Sequence, residues 1–222
     1  MEYKMKYAMQ SVYFMFGMLM LSVLILTGCG SSTGMQRSEK ATTSMETFDN
    51  DIKLVVAQID ATNASLNDLT RSSQSDVKKA FDIYKKQVSK IEDLQKTFAK
   101  HSDEMNARGK DYFDEWQKDG DKYKNPAIQQ LSEQRQQELS DIYGQIARNS
   151  LGVKEAFQTY VSDAKQVLNY LSTDLTPKGI EAIAPTSQKV IYDGDNLKYS
   201  IKNVQTAVDR ARAEMSQTGK IE

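Results

Sequence analysis

One cysteine, one histidine, one tryptophan and three prolines are all that 222 residues contain of those types, and each scarcity closes off a chemistry. A lone Cys29 permits no internal disulfide. With His101 as the single histidine, the two Glu-x-x-His pairs of a di-iron or di-manganese bundle cannot be built, nor a zinc site of Cys and His. Met105 follows His101 by one turn, but two residues on one helix face cannot take opposite axial positions of a haem. A solvated histidine is therefore expected. Basic and acidic residues nearly cancel, 29 against 30, so the chain has no basic footprint for nucleic acid. It also lacks a Gly-x-Ser-x-Gly elbow, a phosphate loop and a dinucleotide fingerprint. No metal and no cofactor is expected.

What the chain does have is helix-forming polar sequence, with 27% charged residues and 11 glycines. That mix suits long helices with a narrow apolar stripe better than a compact mixed core.

The N-terminus reads as a secretory signal. Lys4 and Lys6 precede an apolar run over residues 11–26, SVYFMFGMLMLSVLIL. Leu26-Thr27-Gly28-Cys29 then resembles the lipobox of bacterial lipoproteins. The resemblance implies cleavage after residue 28, a diacylglyceryl group on the Cys29 sulfur and an acylated, typically palmitate-bearing, new N-terminus. An uncleaved anchor with an incidental cysteine is the alternative. Loss of Lys4, Lys6 and Glu2 with the signal would leave a charge of about −2 on the remainder. In lipoproteins of this kind, Gly30 in place of aspartate implies forwarding to the outer membrane, and the lack of an acidic cluster favours its periplasmic face. Residues 29–37 read as the lipidated cysteine and a flexible tether, and 38–222 as the helical domain.

Four apolar stripes follow. Met45, Phe48, Ile52, Val55, Ile59, Thr62, Leu66 and Leu69 alternate gaps of three and four, which is a coiled-coil-like seam. Short polar side chains over 70–75 end it, and Ser75 or Asp76 can cap the next helix. The second stripe runs Val77, Phe81, Tyr84, Val88, Ile91, Leu94 and Phe98, then thins through Met105 to Tyr112 and Trp116. Asn125-Pro126 gives a cap followed by proline at the first helical position, and opens a third stripe from Ile128 and Leu131 to Leu175. Thr176-Pro177 repeats the signal. The fourth stripe, from Ile180 to Met215, keeps its phase across Pro185, which predicts a kink rather than a loop. The expected helices cover about 38–70, 76–119, 126–175 and 177–216. Short turns between such long helices force antiparallel packing. The predicted fold is all-α: an elongated antiparallel four-helix bundle or long coiled coil. Gly109, Gly144 and Gly152 inside helices mark candidate close contacts.

Phe113-Asp114-Glu115-Trp116, Tyr123-Lys124-Asn125-Pro126 with Leu131 and Ser132, the stretch 156–175 and Ile180-Glu181-Ala182-Ile183 carry a further resemblance. From about Asp111 to Met215 the chain resembles bacterial lipoproteins grouped as domain of unknown function 2959. The resemblance implies a helical outer-membrane lipoprotein and supplies no activity or catalytic residue. Pro185 and Asp193-Gly194-Asp195 depart from the smoother helix of that family.

The most unusual local composition is Trp116 among Asp111, Asp114 and Glu115. It reads as an interaction patch for a cation, sugar or partner, or else as a tryptophan anchoring a helix end beside a solvated face. The expected function is that of a non-enzymatic scaffold, spacer or interaction protein anchored in the membrane by its lipid. Its partner would be an envelope protein or a second copy. The alternative is a ligand- or cation-sensing module with its site near Trp116.

Overall fold

Asparagine, threonine and proline punctuate the chain where its helices change. Asn125 stands in extended backbone and its side chain accepts from the Ala127 amide at 3.0 Å, while Pro126, which has no amide hydrogen to satisfy, begins the helix. Thr176 caps the last helix in the same way, accepting from the Gly179 amide at 3.2 Å ahead of Pro177. The computed structural model describes residues 33–73 and 75–216. Among these the helices are α1 (Gly34–Arg71), α2 (Val77–Gly120), α3 (Pro126–Thr173) and α4 (Pro177–Ser216), with no strand. The expected signal peptide and Cys29 lie outside the described residues.

The first helix starts earlier than the expected tether allows. Thr33 and Gln36 form a reciprocal capping box: the Gln36 amide donates to Thr33 Oγ1 at 3.3 Å and the Thr33 amide to Gln36 Oε1 at 3.0 Å. Helix therefore begins at Gly34, and residues 34–37 are not tether. Asp76 is the N-cap of α2 by position, but its carboxylate accepts from the hydroxyls of Ser73 and Ser75 and makes no cap bond. Helix α4 runs unbroken through Pro185.

Side-chain contacts from Arg37 onward fix the packing. Between α1 and α2 they run from Arg37–Asp119 at 2.6 Å to Gln58–Gln87 at 2.8 Å, so one number climbs as the other falls. The same inverse order holds for α2 and α3, from Trp116–Ser132 at 2.8 Å to Tyr84–Ala164 at 2.9 Å. It holds for α3 and α4 from Arg135–Glu214 at 3.2 Å to Asp163–Lys189 at 3.9 Å. Helices α4 and α1 close the ring through Gln205–Asp49 at 2.8 Å and Ile191–Asn63 at 3.0 Å. The result is an up-down-up-down four-helix bundle.

The α1 seam is buried along its whole length, with no member more than 1% exposed. Thr62, its one polar member, donates its hydroxyl to the Gln58 carbonyl at 2.8 Å. Phe48, Phe98 and Phe157 pack across three helices, the first pair tilted at 46° with centroids 4.9 Å apart and the second edge to face at 5.8 Å. Full burial of side chains of this size contributes about 1.5–3 kcal/mol each, which is why length can replace a thick core.

The third stripe is not buried at its start. Ile128 is 48% and Leu131 67% exposed. Arg135 already meets Glu214, two residues before α4 ends at Ser216, so the first turns of α3 run past the described end of α4 and lie beside the end of α2.

Candidate functional site

Helix α2 delivers Trp116 to the bundle end, but turned inward. Its indole Nε1 donates to Ser132 Oγ at 2.8 Å on α3, and its ring meets Tyr112 edge to face at 5.6 Å. The aromatic chain continues from Tyr112 to Phe113 and on to Tyr143, and Gln136 donates to the Phe113 carbonyl at 3.1 Å. Burial pushes the phenols of Tyr112 and Tyr143 upward.

The carboxylates of the expected patch point elsewhere. Asp114 pairs with Lys110 and Glu115 with Lys118, each at 2.8 Å, and these hydrogen bonds raise both lysines above their ordinary value. Asp119 takes Lys122 at 2.9 Å and Arg37 at 2.6 Å, which hold its carboxyl below the usual range. Asp111 also lines a groove. Asp111, Asp114 and Glu115 lie within one turn and all act on Lys118, while the indole of Trp116 is turned away to Ser132.

That groove, about 730 Å³, lies between α1 and α2. Glu39, Lys40 and Thr43 line it from α1; His101, Glu104 and Arg108 line it from α2. His101 is not the solvated residue expected. Its Nδ1 hydrogen-bonds the carboxylate of Asp51, which is 7% exposed, because antiparallel packing sets those two positions opposite each other. Among the described residues no cluster of three or more His, Cys, Asp or Glu is placed to hold a metal ion.

Two further polar groups lie deeper. Asp49, 4% exposed, accepts from Lys53 at 2.7 Å and Gln205 at 2.8 Å, with Arg212 at 3.9 Å. Burial opposes its charge, but those hydrogen bonds and cations win and lower its pKa. Asn63 accepts from the Tyr160 hydroxyl at 2.8 Å and donates to the Ile191 carbonyl at 3.0 Å, tying α1, α3 and α4 together. A Cβ at Gly194 would fall 2.7 Å from the Asn63 amide, so the glycine is what lets α4 approach.

Residues 34–217 match the family described as a protein of unknown function (DUF2959). The chain belongs to that family. No curated protein and no solved structure matches it. Within this DUF2959 member, sequence reasoning singled out Trp116 and missed the Asp51–His101 and Asn63–Tyr160 pairs. The available signal was weak: Asp49, Asp51 and Asn63 are polar residues flanking seam positions of α1.

Proposed function

We propose that this DUF2959 member is a lipid-anchored helical protein of the bacterial envelope, held by acylated Cys29 in the outer membrane and facing the periplasm. In this reading it works as a spacer or scaffold and catalyses no reaction. The observation behind the reading is the placement of the chain's entry. Arg37 is tied to Asp119 near the end of α2, so the turns after α1 and α3 lie at the opposite end of the bundle. The 44 residues of α2, at about 1.5 Å each, separate the two ends by roughly 66 Å. An anchored end and a distant free end are what a spacer or docking rod requires. The partner is another envelope protein or a second copy of this chain; the balanced charge gives nucleic acid nothing to hold.

The test places a photo-crosslinking residue at Ser75, in the turn after α1, or Lys178, at the start of α4, in intact cells. A reproducible adduct, with a second copy or one envelope protein, is the expected outcome. A protein that stays uncrosslinked from both positions argues against the reading.

A second reading, a polar ligand or cation module, has the α1–α2 groove as its place, since acidic Glu39, Glu104 and Asp111 meet cationic Lys40 and Arg108 there. Calorimetric titration with magnesium or calcium tests it, and a flat titration with either removes cation binding.

A further inference from the structure

We propose that the α2–α3 tip, through Tyr123, Ile128 and Leu131, docks on the phospholipid surface to which the chain is anchored. The inference rests on the membrane anchoring proposed above and adds a second, non-covalent contact with the bilayer.

The tip carries apolar surface that the bundle does not cover. Tyr123 is 43% exposed, Ile128 48% and Leu131 67%, and every residue from 121 to 131 is exposed. Ile128 and Leu131, three apart on α3, share one face. They continue a stripe that is buried from Leu139 to Ala164, so this is core-type surface that no described residue covers. The turn that presents it is fixed from both sides, by the Asn125 cap on Ala127 and by the Trp116–Ser132 bond below.

Chain length and charge select the occupant. Arg37 sits beside Asp119, so the chain arrives at this end of the bundle. Seven residues separate Cys29 from Arg37, and at no more than about 3.6 Å per residue step the acylated sulfur is within roughly 29 Å of it. Lys122, which pairs with Asp119, and Lys124 flank Tyr123, and Asp121 is the one acid over residues 121–131. An amphipathic ring between lysines, next to two aliphatic side chains, is the composition that settles at a lipid headgroup boundary.

The experiment uses the full chain in vesicles of phosphatidylethanolamine and phosphatidylglycerol that contain a lipid with a nitroxide at a shallow acyl position. A maleimide fluorophore is offered first to the parent protein, whose one thiol is Cys29. No labelling is expected when that sulfur is acylated, whereas labelling means that the anchor reading has failed. Ile128→Cys, Leu131→Cys and, as a control on α4, Tyr199→Cys are then labelled. Tyr199 is 71% exposed. Labels at 128 and 131 should be blue-shifted and quenched severalfold more strongly by the nitroxide lipid than the label at 199. With Cys29 blocked, equal quenching at the three positions overturns the proposal. So does a blue shift without lipid quenching, which would mean that the chain's own tail or a second copy covers the tip.

Discussion

The ring of Tyr143 occupies the space that any side chain at position 109 would need. A Cβ built on Gly109 would lie 2.0 Å from Tyr143 Cε1, and the Tyr143 hydroxyl reaches past the glycine to donate to the Met105 carbonyl at 2.8 Å. Small size on α2 and a buried phenol on α3 are thus one packing feature.

Gly109→Ala must displace that ring and break its hydrogen bond. A loss of about 2–4 kcal/mol in unfolding free energy is expected, from overpacking together with an unpaired buried hydroxyl. Gly152, where an added Cβ would meet no described atom of another turn or helix within 4 Å, is the control. Gly152→Ala should stabilise by up to about 1 kcal/mol through helix propensity alone. Denaturant titration followed by circular dichroism measures both, and equal effects would remove the packing argument.

Gly194 and Asn63 should be energetically coupled. Gly194→Ala alone brings its methyl against the Asn63 amide and is expected to cost about 2 kcal/mol. In an Asn63→Ala background the two amide contacts are gone and the Tyr160 ring, at 2.9 Å, is the remaining one, so the same change should cost less. A double-mutant cycle should return an interaction of about 1 kcal/mol or more, and additivity within about 0.5 kcal/mol would contradict the contact.

Acid should unfold the protein partly through Asp49. Its folded pKa lies below the ordinary carboxylate value of 3.8, so the native state binds fewer protons than the unfolded chain near that pH. The stabilisation is complete above the unfolded value and is lost as pH falls through the depressed one. Between about pH 5 and pH 2, Asp49→Asn should therefore lose stability less steeply than the parent, while starting less stable at neutral pH. Parallel pH–stability curves would refute the assignment.

Pro185 is a built-in cost. It lies inside α4 and has no amide hydrogen for the Glu181 carbonyl one turn earlier. Pro185→Ala restores that donor, and its site is exposed. A gain of roughly 1–3 kcal/mol is expected, visible as a raised Tm. An unchanged Tm would mean that the helix has already relaxed around the ring.

Ser102, Ser150 and Ser187 are 0% exposed, and their hydroxyls have no hydrogen-bond partner among the described residues. Replacing any one with alanine removes a desolvated polar group at almost no change in volume. Each variant should unfold at equal or higher denaturant, by about 1 kcal/mol. A clear destabilisation would reveal a partner that the fold alone does not display.

The membership and order of the helices were legible in the residues because both depend on neighbours. Caps act over three residues, and a seam repeats every three or four, so Asn125-Pro126, Thr176-Pro177 and the α1 stripe announce themselves locally. The early start of α1 was equally local, in Thr33 and Gln36, and a capping box read from the sequence would have found it. What only the tertiary structure decided is which residue stands across from which. His101 meets Asp51 from 50 positions away and Tyr160 meets Asn63 from 97, distances at which no periodicity carries information. Spacing puts Asp111, Asp114 and Glu115 within one turn of α2, but only the fold shows that the Trp116 indole leaves them for Ser132 on α3. The exposure of Ile128 and Leu131 was likewise settled by register, since an apolar stripe specifies what must be covered and the lengths of its partner helices determine where cover ends.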